Sequence, residues 1–161
     1  MQYGTVDEQL ALIGRCAVPI KPDGNCMFAS VACQLSRTAE KDLEDPMVLR
    51  LMAVEQGMEF FENYKDFNVG DVEQYVWELI MMKKDGAWNY DIGDLAIHLL
   101  RDALKMKFVI LQTRLKPVHI PDDGKEIDDN TVVLIRDQIG KHYDGTNLLM
   151  KRSDEGEGKL C

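Results

Sequence analysis

The chain has 161 residues, 45% of them hydrophobic, and a formal net charge of -9. That length and apolar content suit one compact domain with a real core, and the negative balance is the wrong sign for binding phosphate backbones, which basic stripes recognise by counterion exchange. Apolar runs such as Phe108-Val109-Ile110-Leu111 are far too short to span a bilayer, and Met1-Gln2-Tyr3-Gly4 leads into no apolar signal segment. The expectation is a soluble, cytoplasmic, monomeric protein that meets a basic protein partner, not nucleic acid or a membrane.

In chain order, Val6 to Ile13 reads as a short amphipathic helix, and Gly14, Pro19, Pro22 and Gly24 then punctuate a stretch that cannot stay helical. From Cys26 to Leu35, residues Met27, Phe28, Val31, Ala32 and Leu35 fall on one helical face. Cys26 is expected to point away from that buried side. Asp45-Pro46 reads as an N-cap with proline at the first helical position, opening a long helix through Leu49, Met52, Ala53 and Phe60. A further helix runs from Asp71 to Met82. Lys83 to Tyr90 is a loop, and Asp91 caps a helix whose Ile92, Leu95, Ala96, Leu99 and Ala103 form one apolar face. Strands follow at Lys107 to Thr113, Pro117 to Ile120 and Thr131 to Arg136, with a last one at Leu148-Leu149-Met150. Helices first and strands later, with few alternations, predict an α+β fold in which helices flank a small central sheet. Residues 1–152 are expected to form the domain and the polar, glycine-rich residues 153–161 a disordered tail.

Cys16, Cys26, Cys33 and Cys161 show no CxxC or Cys/His spacing, so neither a zinc site nor a disulfide framework is expected, and a reducing compartment is the default. Cys161 is the final residue, which is not where a prenylation box places its cysteine. One cysteine stands out. Asp23-Gly24-Asn25-Cys26 delivers a thiol to the start of a helix, where unpaired backbone N–H groups favour the thiolate. The N–H groups of Asp23, Gly24, Asn25 and Cys26 could also hold the oxyanion formed when an amide carbonyl is attacked. By spacing alone, an ordinary small core residue is the better reading of Cys26.

A nucleophilic cysteine needs a base and a group that orients the base. His98 lies about 140° from the centre of its helix's apolar face at 100° per residue, which makes it a solvated residue. His119 sits between Val118 and Ile120 with no carboxylate two positions away. In Lys141-His142-Tyr143-Asp144, an extended backbone puts Asp144 beside His142 and turns Tyr143 to the other side. Without Cys26, the pair would read as a polar loop after Gly140.

Pro22-Asp23-Gly24-Asn25-Cys26-Met27-Phe28 resembles the nucleophile segment of the ovarian-tumour (OTU) cysteine proteases. Gly86-Ala87-Trp88, the helix to Leu104 and the Phe108 to Leu111 strand are similar to that family's tryptophan loop, helix and core strand, and Lys141-His142-Tyr143-Asp144 resembles its histidine segment. The resemblance spans roughly residues 10 to 150. It departs after the tryptophan, where the family often has glycine and then a glutamate opening the helix; here the chain reads Trp88-Asn89-Tyr90 and Asp91-Ile92-Gly93-Asp94.

The resemblance implies an OTU-like, papain-type fold and a deubiquitinase, a cysteine protease that cleaves the isopeptide bond between the C-terminal glycine of ubiquitin, or a ubiquitin-like protein, and a lysine. Polyubiquitin chains are included among the substrates, and no cofactor or metal is implied. Cys26 would be nucleophile, His142 base and Asp144 orienter, with Asp23 either in the oxyanion loop or among the catalytic residues. Trp88 would wall the channel for the substrate tail, with the segment Lys65 to Gly70 nearby. A catalytically silent ubiquitin-binding module of the same fold is the alternative, and a thiol protease acting on ordinary peptides is a second. If the chain is a pathogen effector, its place of action is the host cytosol.

Overall fold

A computed structural model of the chain describes residues 2–35, 41–67, 70–88, 93–137, 139 and 141–149. Helix α1 (Val6–Leu12) starts at Thr5, whose hydroxyl accepts the N–H of Glu8. Helix α2 is Cys26–Leu35. Helix α3 (Pro46–Glu59) is capped by Asp45, which accepts the N–H of Met47, with proline in the first turn as the sequence predicts. After the short α4 (Phe61–Tyr64), α5 (Val72–Met82) is capped by Asp71 through the N–H of Gln74. Helix α6 is Gly93–Leu104; its expected cap, Asp91, and the expected tail at 153–161 lie outside the described residues.

The strands are β1 (Arg15–Val18), β2 (Phe108–Leu111), β3 (Val118–Ile120), β4 (Val132–Arg136) and β5 (Tyr143–Leu148). They make one sheet in the order β1-β5-β4-β2-β3. Only β2 and β4 run parallel; the remaining pairs are antiparallel. Strand β2 is buried on both faces because its side chains alternate between two clusters. Phe108 and Ile110 join the main core with Phe28, Leu49, Leu79 and Leu99, whereas Val109 and Leu111 meet Leu10 of α1 on the other side. Helices therefore cover a small central sheet, the α+β arrangement that the order of elements predicts.

Two strands differ from expectation. β1 falls in the stretch read as irregular: it is four residues long, and its charged Arg15 is buried and points inward. The Arg15 guanidinium donates to Gln34 and to the carbonyls of Asp128 and Thr131, so a buried polar hub replaces the apolar signature of a strand. The last strand is Tyr143–Leu148, ending where the expected Leu148-Leu149-Met150 strand would begin; Met150 lies outside the described residues. Gly145 and Asn147 are poor strand formers, which hides β5 from a propensity reading. Gly145 has a packing reason to be there: a Cβ on it would stand 2.4 Å from Cys33 Sγ and 3.0 Å from Ser30 O. α2 thus lies directly on the backbone of β5. Met27, Phe28, Val31 and Leu35 of α2 are almost fully buried, each such side chain contributing about 1.5–3 kcal/mol of hydrophobic stabilisation.

Candidate active site

The packing of α2 on β5 brings the first residue of the helix, Cys26, to the start of the strand that follows His142. His142 Nε2 lies 2.8 Å from Asp144 Oδ1. The same oxygen accepts the N–H of Ile20 at 2.8 Å. A carboxylate only accepts, so Nε2 carries the hydrogen, and in the neutral ring Nδ1 keeps the lone pair. Nδ1 is buried and has no hydrogen-bond partner among the described residues. The main chain at His142 is held as well, its carbonyl accepting the N–H of Asp137 at 3.1 Å and its N–H reaching Asp137 Oδ1 at 3.3 Å. The extended backbone places Asp144 beside His142 and turns Tyr143 into the core, as the spacing predicts.

Cys26 is a free thiol, but it does not stand on an open face. It is 5% exposed and belongs to the main core, because α2 packs on β5 and the Tyr143 main chain meets the thiol on the side that the α2 periodicity leaves uncovered. Burial pushes its pKa up from the ordinary 9.0. The backbone N–H groups of Tyr143 and Met27 oppose that rise, and the charges of Asp23 and Asp144 add to it. The helix-start donor does favour the thiolate; desolvation outweighs it. Among the other cysteines, Cys33 donates its thiol to Ser30 O at 3.2 Å. Cys16 is disulfide-bonded, against the expectation that no disulfide forms.

The loop before Cys26 is tightly engaged. Asp23 N–H donates to Lys21 O at 2.9 Å, Asn25 N–H to Asp23 Oδ1 at 2.8 Å, and Cys26 N–H to Asp23 O at 3.1 Å. Of the four candidate oxyanion donors, only the N–H of Gly24 has no such partner among the described residues. Asp23 folds its carboxylate onto its own loop, an Asx-type turn, and Asp144 is the aspartate bonded to His142. Gly24 is required sterically, since a Cβ there would lie 1.6 Å from Gly86 O.

Trp88 packs edge-on against Phe28 at 6.0 Å and Tyr143 at 6.2 Å between ring centroids. It also lines a cleft of about 380 Å³ with Pro22, Asp23, Gly24, Lys141 and His142. Core anchor and cleft wall are thus the same side chain. The described residues of the Lys65 to Gly70 segment do not line this cleft; Lys65–Phe67 is a single helical turn. Phe67 instead lies 4.6 Å from the ring of His98, which is half-buried and not solvated as expected, and burial holds the His98 pKa below its usual value. His119 pairs with Val109 across β3 and β2, on the edge strand three places from β5 in the sheet. Among the described residues, no group of three or more His, Cys, Asp or Glu is placed to hold a metal ion.

Residues 21–143, which carry this arrangement apart from Ile20 and Asp144, match the family model of the OTU-like cysteine proteases. The chain belongs to that family. Solved OTU structures share its fold at low identity. The OTU domain of OTUD1 is 20% identical, with a TM-score of 0.64 over 87% of this chain and 90% of that one. The Hazara virus OTU, solved bound to ubiquitin, is 18% identical, with a TM-score of 0.66 over 94% and 88%. An OTU deubiquitinase from Wolbachia pipientis wMel is 18% identical, with a TM-score of 0.67 over 89% and 94%. No match is found among curated protein sequences.

Two residues of this OTU site escape a reading of the sequence. Ile20 acts only through its backbone N–H, for which no side-chain signal exists. Arg50 does leave a signal: a charge beside Leu49 and three residues before Ala53, inside the apolar stripe of α3. It is fully buried and donates to Gly24 O at 2.7 Å, Asn25 Oδ1 at 2.8 Å and Met82 O at 2.9 Å. Its guanidinium lies 4.6 Å from the centroid of the Phe28 ring. Burial pulls its pKa down, and the nearby carboxylates of Asp85 and Asp23 pull the other way.

Proposed function

We propose that this OTU chain is a deubiquitinase that hydrolyses the isopeptide bond between the C-terminal glycine of ubiquitin, or a ubiquitin-like protein, and a lysine. The observation that carries the reading is the His142–Asp144 pair: Nε2 is held at 2.8 Å by Asp144 while Nδ1 is left buried and without a partner among the described residues, next to the strand on which the Cys26 helix packs. The Hazara virus OTU, which shares the fold, was solved bound to ubiquitin, and the acidity of this chain suits a basic partner face.

Because burial keeps the Cys26 thiol neutral at rest, proton removal accompanies attack. His142 Nδ1 takes the Sγ proton as sulfur bonds to the carbonyl carbon, and Asp144 stabilises the resulting imidazolium. The carbonyl oxygen becomes an oxyanion, with the open N–H of Gly24 as its first donor. Collapse breaks the C–N bond, and His142 returns the proton to the leaving lysine amine. Water, deprotonated by His142, then attacks the thioester, releasing a carboxylate and restoring the thiol. The bond to be cut lies beside Trp88, and a tail of small residues fits a narrow cleft.

The test is turnover of a ubiquitin C-terminal fluorogenic substrate beside a general peptide substrate, in wild type and Cys26→Ala. Turnover of the ubiquitin substrate alone, abolished in Cys26→Ala, is expected. Binding without turnover would overturn the enzymatic reading, and equal turnover of both substrates would overturn the choice of substrate.

A further inference from the structure

Arg50 joins three segments of chain that are distant in sequence. One guanidinium fork holds the carbonyl of Gly24, the side-chain oxygen of Asn25 and the carbonyl of Met82 at the end of α5. Asn25 extends the link: its Oδ1 also accepts the N–H of Gly86 at 3.1 Å, and its Nδ2 donates to Asp85 at 2.7 Å. The nucleophile loop and the loop leading to Trp88 are thereby fastened to α3 and to each other, with Gly24 against Gly86 O. A buried charge is costly, and an apolar side chain of similar volume commonly serves stability as well or better. An arginine placed here has work that needs several donors in a fixed plane.

The work is visible in the peptide planes. The Gly24–Asn25 peptide has its oxygen fixed by Arg50, and its N–H, on the opposite side of a trans peptide, is taken by Asp23 Oδ1 at 2.8 Å. The preceding peptide has its oxygen fixed by Cys26 N–H at 3.1 Å. With both planes locked, the N–H of Gly24 is left open. Resting on the reading of the site given above, we propose that Arg50 is a positioning residue for acyl transfer, holding the Gly24 donor and the Trp88 wall in register around the reacting carbonyl.

The experiment compares wild type with Arg50→Lys, which keeps charge without the fork, and with Asn25→Ala, which breaks the same link from a half-exposed position and keeps the backbone N–H. Each is assayed with a small activated ester, p-nitrophenyl acetate, and with the ubiquitin fluorogenic substrate. Alkylation of Cys26 by iodoacetamide is measured in parallel, because it consumes the thiol without forming an oxyanion. A fall in kcat of about a hundredfold in either variant is expected, with KM for the ester and the alkylation rate nearly unchanged. The double variant should lose less than the product of the single losses, since both act through one link. Wild-type kcat in both variants would overturn the proposal, as would an equal fall in alkylation, which would make Arg50 a support of the fold alone. Wild-type protein that hydrolyses the ester but not the ubiquitin substrate would overturn the ubiquitin reading, and Arg50 would still be judged on the ester.

Discussion

Asp144 holds His142 by an oxygen that it shares: Oδ1 stands 2.8 Å from His142 Nε2 and 2.8 Å from the N–H of Ile20. An asparagine at 144 can still accept a hydrogen bond but brings no charge to stabilise an imidazolium. Asp144→Asn should lower kcat on the ubiquitin substrate by on the order of a hundredfold or more. The Asp144 charge also raises the Cys26 pKa, so the iodoacetamide rate profile should move to lower pH in the same variant. A more readily ionised thiol with slower hydrolysis is the signature; near-wild-type kcat would remove Asp144 from the site.

The raised pKa of Cys26 has a direction that can be measured in the wild type. Since burial disfavours the thiolate, the alkylation rate of the resting enzyme should keep climbing as pH passes the ordinary 9.0 of a free thiol. A plateau reached near neutral pH would instead reveal a preformed ion pair. A ubiquitin bearing a C-terminal electrophile should label Cys26 alone, with the adduct mapped by mass spectrometry and lost in Cys26→Ala.

Asp23 combines a charge near Cys26 with a hydrogen bond to Asn25 N–H, and two substitutions separate them. Asp23→Asn keeps an acceptor for the loop and removes the charge, so kcat should stay within a few-fold of wild type while the alkylation profile moves to lower pH. Asp23→Ala also frees the loop and should lower kcat by about tenfold or more, as a donor poorly held acts poorly on the transition state. Equal kcat in the two variants would show that the turn does not matter to the reaction.

Gly145→Ala tests the contact between helix and strand. The added Cβ would meet Cys33 Sγ at 2.4 Å and Ser30 O at 3.0 Å, and overpacking of this kind costs about 1–3 kcal/mol. Both denaturant stability and kcat should fall. Adding Cys33→Ala removes the nearer obstacle and should restore most of the stability; no restoration would place the strain in the backbone contact with Ser30.

The net charge of -9 leads to a salt effect. With a basic partner face, kcat/KM for the ubiquitin substrate should drop as salt rises through the physiological range, while kcat/KM for the small ester stays level. A flat profile for ubiquitin would mean that charge does not steer the encounter.

What was legible in the sequence was whatever is written in side chains at regular spacing. Asp45-Pro46, Asp71 and the apolar stripes announced α3, α5 and α2, and the two-residue interval from His142 to Asp144 announced their pairing. What was hidden depends on groups that periodicity does not register. The burial of Cys26 comes from β5, which closes over a helix face that α2 alone leaves open. β1 was hidden because its inward residue is Arg15, and β5 because Gly145 was chosen for contact with α2 and not for strand propensity. The second hydrogen bond to Asp144 comes from a backbone N–H, which looks the same at every residue.

The stretch that matches the family runs from residue 21 to residue 143. Ile20 and Asp144, joined at 2.8 Å, stand one step beyond its two ends, and β1 and nearly all of β5, which pair with each other, also fall outside it. A fragment trimmed to the matched stretch would therefore keep the thiol and the imidazole but discard the carboxylate that aims the ring and the edge of the sheet that seats it. Any minimal catalytic piece has to begin no later than Arg15 and reach at least Leu148.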